Sequence, residues 1–234
     1  MIAWELLGRA RVPGNDGVLS LFKRDRELSI RMDGCEIMNS RQHGSEEALA
    51  ELACARITDR QVARVLIGGL GMGFTLAAAL RGLGAGSRVE VAELVPAVVV
   101  WNRGVLAHLA GHPLADDRVT VREEDVVRIL KRARGAYDAV LLDVDNGPDG
   151  LTSKGNGWIY GREGLGAVFA ALRPSGVLGV WSAGPDRTFA GRLRRAGFAA
   201  DEIRVRARAS GKGARHTIWI AVRGASVQQN RPGV

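Results

Sequence analysis

The chain has 234 residues, 46% of them hydrophobic, enough to bury one large core together with a small appendage. No run of about 18 apolar residues occurs, which excludes an α-helical membrane span, and Met1–Ala10 lacks the basic start and apolar stretch of a secretory signal. The formal charge of +8 and a pI near 10.4 raise a nucleic-acid partner as one reading, to be decided by where the charge lies.

The first forty residues lack helical periodicity. Trp4–Ala10, Val18–Arg24, Glu27–Met32 and Cys35–Asn39 read as short strands, split by turns at Pro13-Gly14-Asn15-Asp16-Gly17 and Met32-Asp33-Gly34. Residues 1–42 are therefore expected to form a small antiparallel β-unit. Ser45 is placed to cap a helix over Glu46–Arg56, with Ala48, Leu49, Leu52 and Ala53 on one face. Cys35 and Cys54 stand 19 positions apart with no His or Cys at metal spacing, which reads as free thiols in a reducing cytoplasm.

From Gln61 strands and helices alternate. Strand Val62–Ile67 leads to helix Phe74–Arg81, and strand Arg88–Glu93 to helix Pro96–Ala110, with Pro96 in its first turn. Strand Val119–Val121 precedes helix Asp125–Arg132. Strand Ala139–Asp143, a long loop, helix Arg162–Leu172, strand Val177–Trp181 and helix Arg187–Ala196 follow. Ala200–Ala209 and His216–Val222 close the pattern as two strands joined by Ser210-Gly211-Lys212-Gly213-Ala214. The expectation is an α/β unit over residues 43–224, with a mostly parallel sheet and a terminal antiparallel hairpin. Polar residues 225–234 read as a flexible tail.

The charge is local. Between Arg187 and Arg215 stand nine basic residues, eight Arg and Lys212, against Asp201 and Glu202, so this segment holds +7 of the total. Arg204, Arg206 and Arg208 alternate with Ile203, Val205 and Ala207, the pattern of a strand with one wet face. A solvated strand face is favoured over an RNA surface.

Val65-Leu66-Ile67 runs into Gly68, Gly69, Gly71 and Gly73 before the next helix, and Glu93 follows 22 positions after Gly71. Glycines at a strand's carboxyl end let backbone approach a ligand, and an acid at the tip of the next strand can accept both hydroxyls of a ribose. Phe74 stands where the dinucleotide fingerprint needs its last glycine, so the loop suits an adenosyl-sulfonium ligand better than a dinucleotide. Asp125, after the third strand, is placed to accept from an adenine amino group. Asp143 and Asp145 follow the fourth strand, where a carboxylate could orient an amine and take its proton. Asp145 and Asp149 suit turn chemistry equally well. No metal is required: His43, His108, His112 and His216 show no ligand spacing and read as ordinary polar residues.

In order and spacing these motifs resemble the spermidine synthase-like family, the polyamine aminopropyltransferases. The resemblance rests on the small β-unit, the loop Gly68-Gly69-Leu70-Gly71-Met72-Gly73, Glu93, Asp125, Asp143-Val144-Asp145-Asn146-Gly147-Pro148 and Tyr160-Gly161-Arg162-Glu163-Gly164-Leu165. It implies a Rossmann-like class I S-adenosylmethionine-dependent transferase fold. It further implies transfer of an aminopropyl group from decarboxylated S-adenosylmethionine to a diamine or polyamine, in polyamine biosynthesis. The family's loop Asp is absent here, with Leu70 or Met72 near its place. Its Gln after Asp-Gly is missing behind Asp33-Gly34, and Gln42-His43-Gly44-Ser45-Glu46-Glu47 replaces its Tyr-His-Glu. Two other readings stay open: a methyltransferase using S-adenosylmethionine on a small molecule or RNA, and a non-catalytic nucleoside-binding module. The expected partner is a small amine, with a homodimer allowed and no membrane.

Overall fold

The computed structural model describes residues 2–14, 16–144, 147–148, 156–208 and 213–224. Asp145, Asp149, the hairpin positions 209–212 and the tail lie outside the described residues.

Two sheets organise the chain. The first joins β1 (Glu5–Arg11), β2 (Val18–Arg24), β3 (Glu27–Met32) and β4 (Cys35–Asn39) in sequence order, all antiparallel. Leu19, Leu21, Leu28 and Ile30 face inward from β2 and β3 and join the core that also holds Leu49, Ile67 and Leu141. Glycine at position 8 leaves room for the Trp101 side chain against β1: an added Cβ would stand 2.9 Å from Trp101 Nε1.

The second sheet has seven strands: β5 (Arg64–Gly68), β6 (Arg88–Ala92), β7 (Val119–Arg122), β8 (Tyr137–Leu142), β9 (Leu172–Ser182), β10 (Phe198–Arg206) and β11 (Arg215–Arg223). Their order is β10-β11-β9-β8-β5-β6-β7. The pairs from β9 through β7 are parallel, and β11 runs antiparallel to both β9 and β10. This is the mostly parallel sheet with a terminal hairpin that the alternating pattern predicts, in the Rossmann-like form that the resemblance implies. Its central strands are apolar along their length, because helices cover both faces. Val65 and Ile67 point into a core shared with α1 and α2, whereas Leu66, Val140 and Leu142 point into another with α4, α5 and α6.

The helices are α1 (Gly44–Cys54), α2 (Phe74–Gly82), α3 (Pro96–Arg103), α4 (Val126–Arg132), α5 (Arg162–Ala171) and α6 (Phe189–Arg195). Most boundaries shift from expectation by one or more residues, β9 beginning at Leu172 rather than Val177 and β10 running Phe198–Arg206 rather than Ala200–Ala209. Four differences at the helices have a visible cause. Ser45 does not cap α1; His43 takes that position, and the Ser45 hydroxyl is engaged by distant side chains instead. The helix expected to reach Ala110 stops at Arg103, where Gly104 caps it, and Ala107–Ala110 is a separate 3-10 turn. Asp125 precedes α4 as its cap, its Oδ1 accepting from Val127 N at 2.8 Å. Helix α6 starts at Phe189 rather than Arg187, because the Asp186 carboxylate accepts from the amides of Thr188 and Phe189 and holds that turn. Among the described residues no helix is long and apolar enough to cross a membrane.

Candidate active site

Every parallel strand of the sheet delivers its carboxyl end to one edge, and the glycine loop lies there. Gly69 has φ +87°, and a Cβ at that position would stand 2.3 Å from the carbonyl oxygen of Asp143, so only glycine lets β5 and β8 end side by side. The amide of Gly69 donates to Ala92 O and that of Asp143 to Gly68 O, both at 2.9 Å, tying three strand ends together. Gly68 serves packing: its Cβ would meet Val126 at 3.0 Å and Leu142 at 3.3 Å. Gly73 caps α2 in the left-handed region, and Gly71 is pinned by Asn102, whose Nδ2 donates to its carbonyl at 2.8 Å.

Glu93 lies one residue past β6 and is buried. Its Oε2 accepts from Leu70 N at 2.9 Å and its Oε1 from Val95 N at 2.8 Å. Burial raises its pKa, and those backbone donors pull the other way. The acid and the glycine loop are therefore one hydrogen-bonded unit. Each carboxylate oxygen retains acceptor capacity beyond one amide, so the group still fits a ribose diol. Asp125 stands beside the same loop through Val126, and its Oδ2 has no hydrogen bond among the described residues.

Asp143 emerges immediately beyond β8 and lines a cavity of about 300 Å³. Thr75, in the first turn of α2, donates to its Oδ2 at 2.6 Å. Burial of the carboxyl pushes its pKa from 3.8 up to about 6, with the Thr75 hydrogen bond opposing the shift. A second carboxylate, Glu46 of α1, lines the same cavity. Its pKa is raised by burial first and then by the charges of Asp143 and Glu47. The far wall comes from the N-terminal sheet, where Glu36 is held by Ser29 and Asn39 at 2.7 Å each. Trp181 at the end of β9 and His216 at the start of β11 complete it. Trp181 Nε1 donates to Ser45 Oγ at 3.1 Å, and that oxygen stands 2.8 Å from His216 Nδ1. Burial lowers the pKa of His216, which keeps the imidazole neutral near pH 7.

The glycine loop, Glu93, Asp125 and Asp143 are thus gathered at one edge, while Asp145 lies outside the described residues. Glu46, Glu36, Trp181 and His216 were not singled out by sequence. His216, read as an ordinary polar residue, lines the cavity. The +8 chain presents three carboxylates to this cavity, and no lysine or arginine is among its described lining residues. Among the described residues no group of three or more His, Cys, Asp or Glu is arranged to hold a metal ion. Arg204 and Arg206 are exposed on β10 at the sheet's edge, and Arg208 is exposed just beyond its end, after buried Ala207.

No protein-family model matches the chain, and no curated protein sequence does. Solved structures do. A spermidine synthase in complex with the transition state analogue AdoDATO superposes with a TM-score of 0.72 at 16% identity, over 94% of this chain and 73% of the other. The spermidine synthase from Thermotoga maritima gives 0.73 at 16% identity over the same shares. A probable spermidine synthase from Corynebacterium glutamicum gives 0.62 at 14% identity, over 92% and 79%. At such identities the likeness is one of fold, and the fold is spermidine synthase-like.

Proposed function

We propose that the protein is a transferase that moves an aminopropyl group from decarboxylated S-adenosylmethionine to a small diamine or polyamine. The observation that carries this reading is the cavity at the carboxyl edge of the sheet, which Asp143, Glu46 and Glu36 line with no lysine or arginine among the described lining residues. Uncompensated carboxylates in a partly desolvated site are costly, and an ammonium ligand offsets that cost. The tail of intact S-adenosylmethionine would add a carboxylate beside its ammonium, a fourth acid in the same cavity.

In this reading Glu93 accepts the ribose hydroxyls, Asp125 accepts from the adenine amino group, and the glycine loop lets backbone approach the nucleoside. The sulfonium makes its neighbouring carbon electrophilic. The amine nitrogen bonds to that carbon as the carbon–sulfur bond breaks, its electron pair goes to sulfur, and methylthioadenosine leaves. Before that attack Asp143 orients the acceptor's ammonium and takes one of its protons, which frees the nitrogen lone pair; the secondary ammonium formed keeps its protons, and Asp143 later returns its own to solvent. A carboxylate titrating at about 6 is better matched to that task than one at 3.8. Alignment of two bound reactants supplies much of the remaining acceleration.

The test is calorimetry with methylthioadenosine, decarboxylated S-adenosylmethionine and S-adenosylmethionine in parallel, followed by a turnover assay for methylthioadenosine release in the presence of a short diamine. Preference for the decarboxylated donor is expected. Asp143→Asn should lower turnover by about 10²–10⁴ while methylthioadenosine affinity changes little. Preference for intact S-adenosylmethionine would overturn the reading in favour of methyl transfer.

A further inference from the structure

Glu46 is the one carboxyl among the described residues with a buried side-chain oxygen, Oε2, that has no hydrogen-bond partner. Neighbouring acids are better served: Glu47 pairs with Arg81 at 3.3 Å, and Glu36 accepts from Ser29 and Asn39. Glu46 lies next to Asp143 through Thr75, whose Oγ1 stands 2.6 Å from Asp143 Oδ2 and 3.2 Å from the Glu46 carbonyl. Thr75 is the second residue of α2, directly behind the glycine loop, and Gly69 abuts the Asp143 backbone, so this pair of acids lies on the side of the cavity next to that loop. Glu36 and Asn39 belong to the opposite wall. The loop itself offers no acid there, because Leu70 and Met72 are buried apolar side chains.

We propose that Glu46 determines donor specificity: with Asp143 it clamps the ammonium of the donor's aminopropyl tail and rejects a tail that also carries a carboxylate. The inference rests on the reading of the site as one for a nucleoside sulfonium. Two carboxylates on one ammonium satisfy more of its three N–H donors than Asp143 alone, and the same pair repels an α-carboxylate. The raised pKa of Glu46, due to burial and to Asp143, fits a group waiting for a cation.

Glu46→Gln keeps the shape and removes the charge; Glu47→Gln, beside it but paired with Arg81, is the control. In calorimetry Glu46→Gln should bind methylthioadenosine within about twofold of the parent, since that ligand has no cationic tail. Decarboxylated S-adenosylmethionine should weaken about 10- to 100-fold, and S-adenosylmethionine by less than about threefold, so that selectivity between the two collapses. Unchanged selectivity would overturn the proposal. So would equal weakening of all three ligands, or the same effect from Glu47→Gln. A parent protein that binds none of the three refutes the nucleoside reading instead. The role of Glu46 is then read with 1,3-diaminopropane, the bare aminopropyl cation: loss of its binding in Glu46→Gln supports the clamp, and unchanged or absent binding overturns it.

Discussion

Replacing Asp143 by Asn should stabilise the protein at neutral pH and leave it nearly unchanged in acid. The carboxyl titrates at 3.8 when unfolded and at about 6 when folded, because folding buries it. A raised pKa means that the protonated form is the one the fold favours. Its contribution is complete below pH 3.8 and is lost as pH rises through 6. The full shift of about two units corresponds to ~3 kcal/mol at about 1.4 kcal/mol per unit. Part of it is already lost at pH 4, which leaves about 2 kcal/mol between pH 4 and pH 8. Asn cannot ionise and can still accept from Thr75, so the variant escapes that loss. Removing the charge also relieves Glu46, whose pKa Asp143 raises, and this acts in the same direction. Urea unfolding followed by the fluorescence of the five tryptophans, at pH 4 and pH 8, measures the difference directly. The equivalent rise in Tm at pH 8 is about 4–8 °C. A gap between variant and parent that is the same at both pH values would refute the burial argument. A gap of opposite sign would mean that the fold stabilises the ionised carboxylate.

Gly69→Ala should cost at least about 2 kcal/mol in the same unfolding assay, because the new Cβ meets the Asp143 carbonyl in a left-handed backbone; a tolerated alanine would contradict the loop geometry. Glu93→Ala should weaken methylthioadenosine at least about tenfold, since a ribose loses a charge-assisted pair, and unchanged affinity in a folded variant removes Glu93 from the site. Changing Arg204, Arg206 and Arg208 together to Gln should leave background RNA affinity and its salt slope unaltered; a slope lower by about three marks a phosphate surface. Of the two free cysteines, exposed Cys35 should react rapidly with a thiol reagent. Buried Cys54, its pKa pushed up to about 11, should react only on unfolding.

Local chemistry was legible in the sequence, and chemistry assembled across the chain was not. The strands Val18–Arg24, Glu27–Met32 and Cys35–Asn39 agree with expectation residue for residue, because Gly17, Asp25, Asp33 and Gly34 punctuate them. The glycine loop, Glu93 and Asp143 were readable for the same reason: each directly follows a strand whose apolar run announces its end. The long helix from Pro96 was overextended, since Leu106, Ala107 and Leu109 keep an apolar pattern past Gly104. Ser45 was misread because a hydroxyl before a helix resembles a cap, whereas its partners Trp181 and His216 stand 136 and 171 positions away. For the same reason Glu46 was not singled out and His216 was read as an ordinary polar residue. One is a polar residue on an amphipathic helix and the other begins a strand, and only the folded sheet turns them toward a common space.

The placement of β11 has a consequence for how the molecule comes into being. The last strand among the described residues is not an edge: it inserts between β9 and β10, and its first residues bring His216 to the cavity. On a ribosome, everything up to β10 can emerge while the flank of β9 is still an unpaired edge. Until β11 arrives, Ile218, Trp219 and Ile220 are missing from the core on both faces of the sheet. Folding therefore cannot finish vectorially. The closing step joins residues far apart in sequence, a slow kind of contact, and it completes the sheet and the cavity wall in one event.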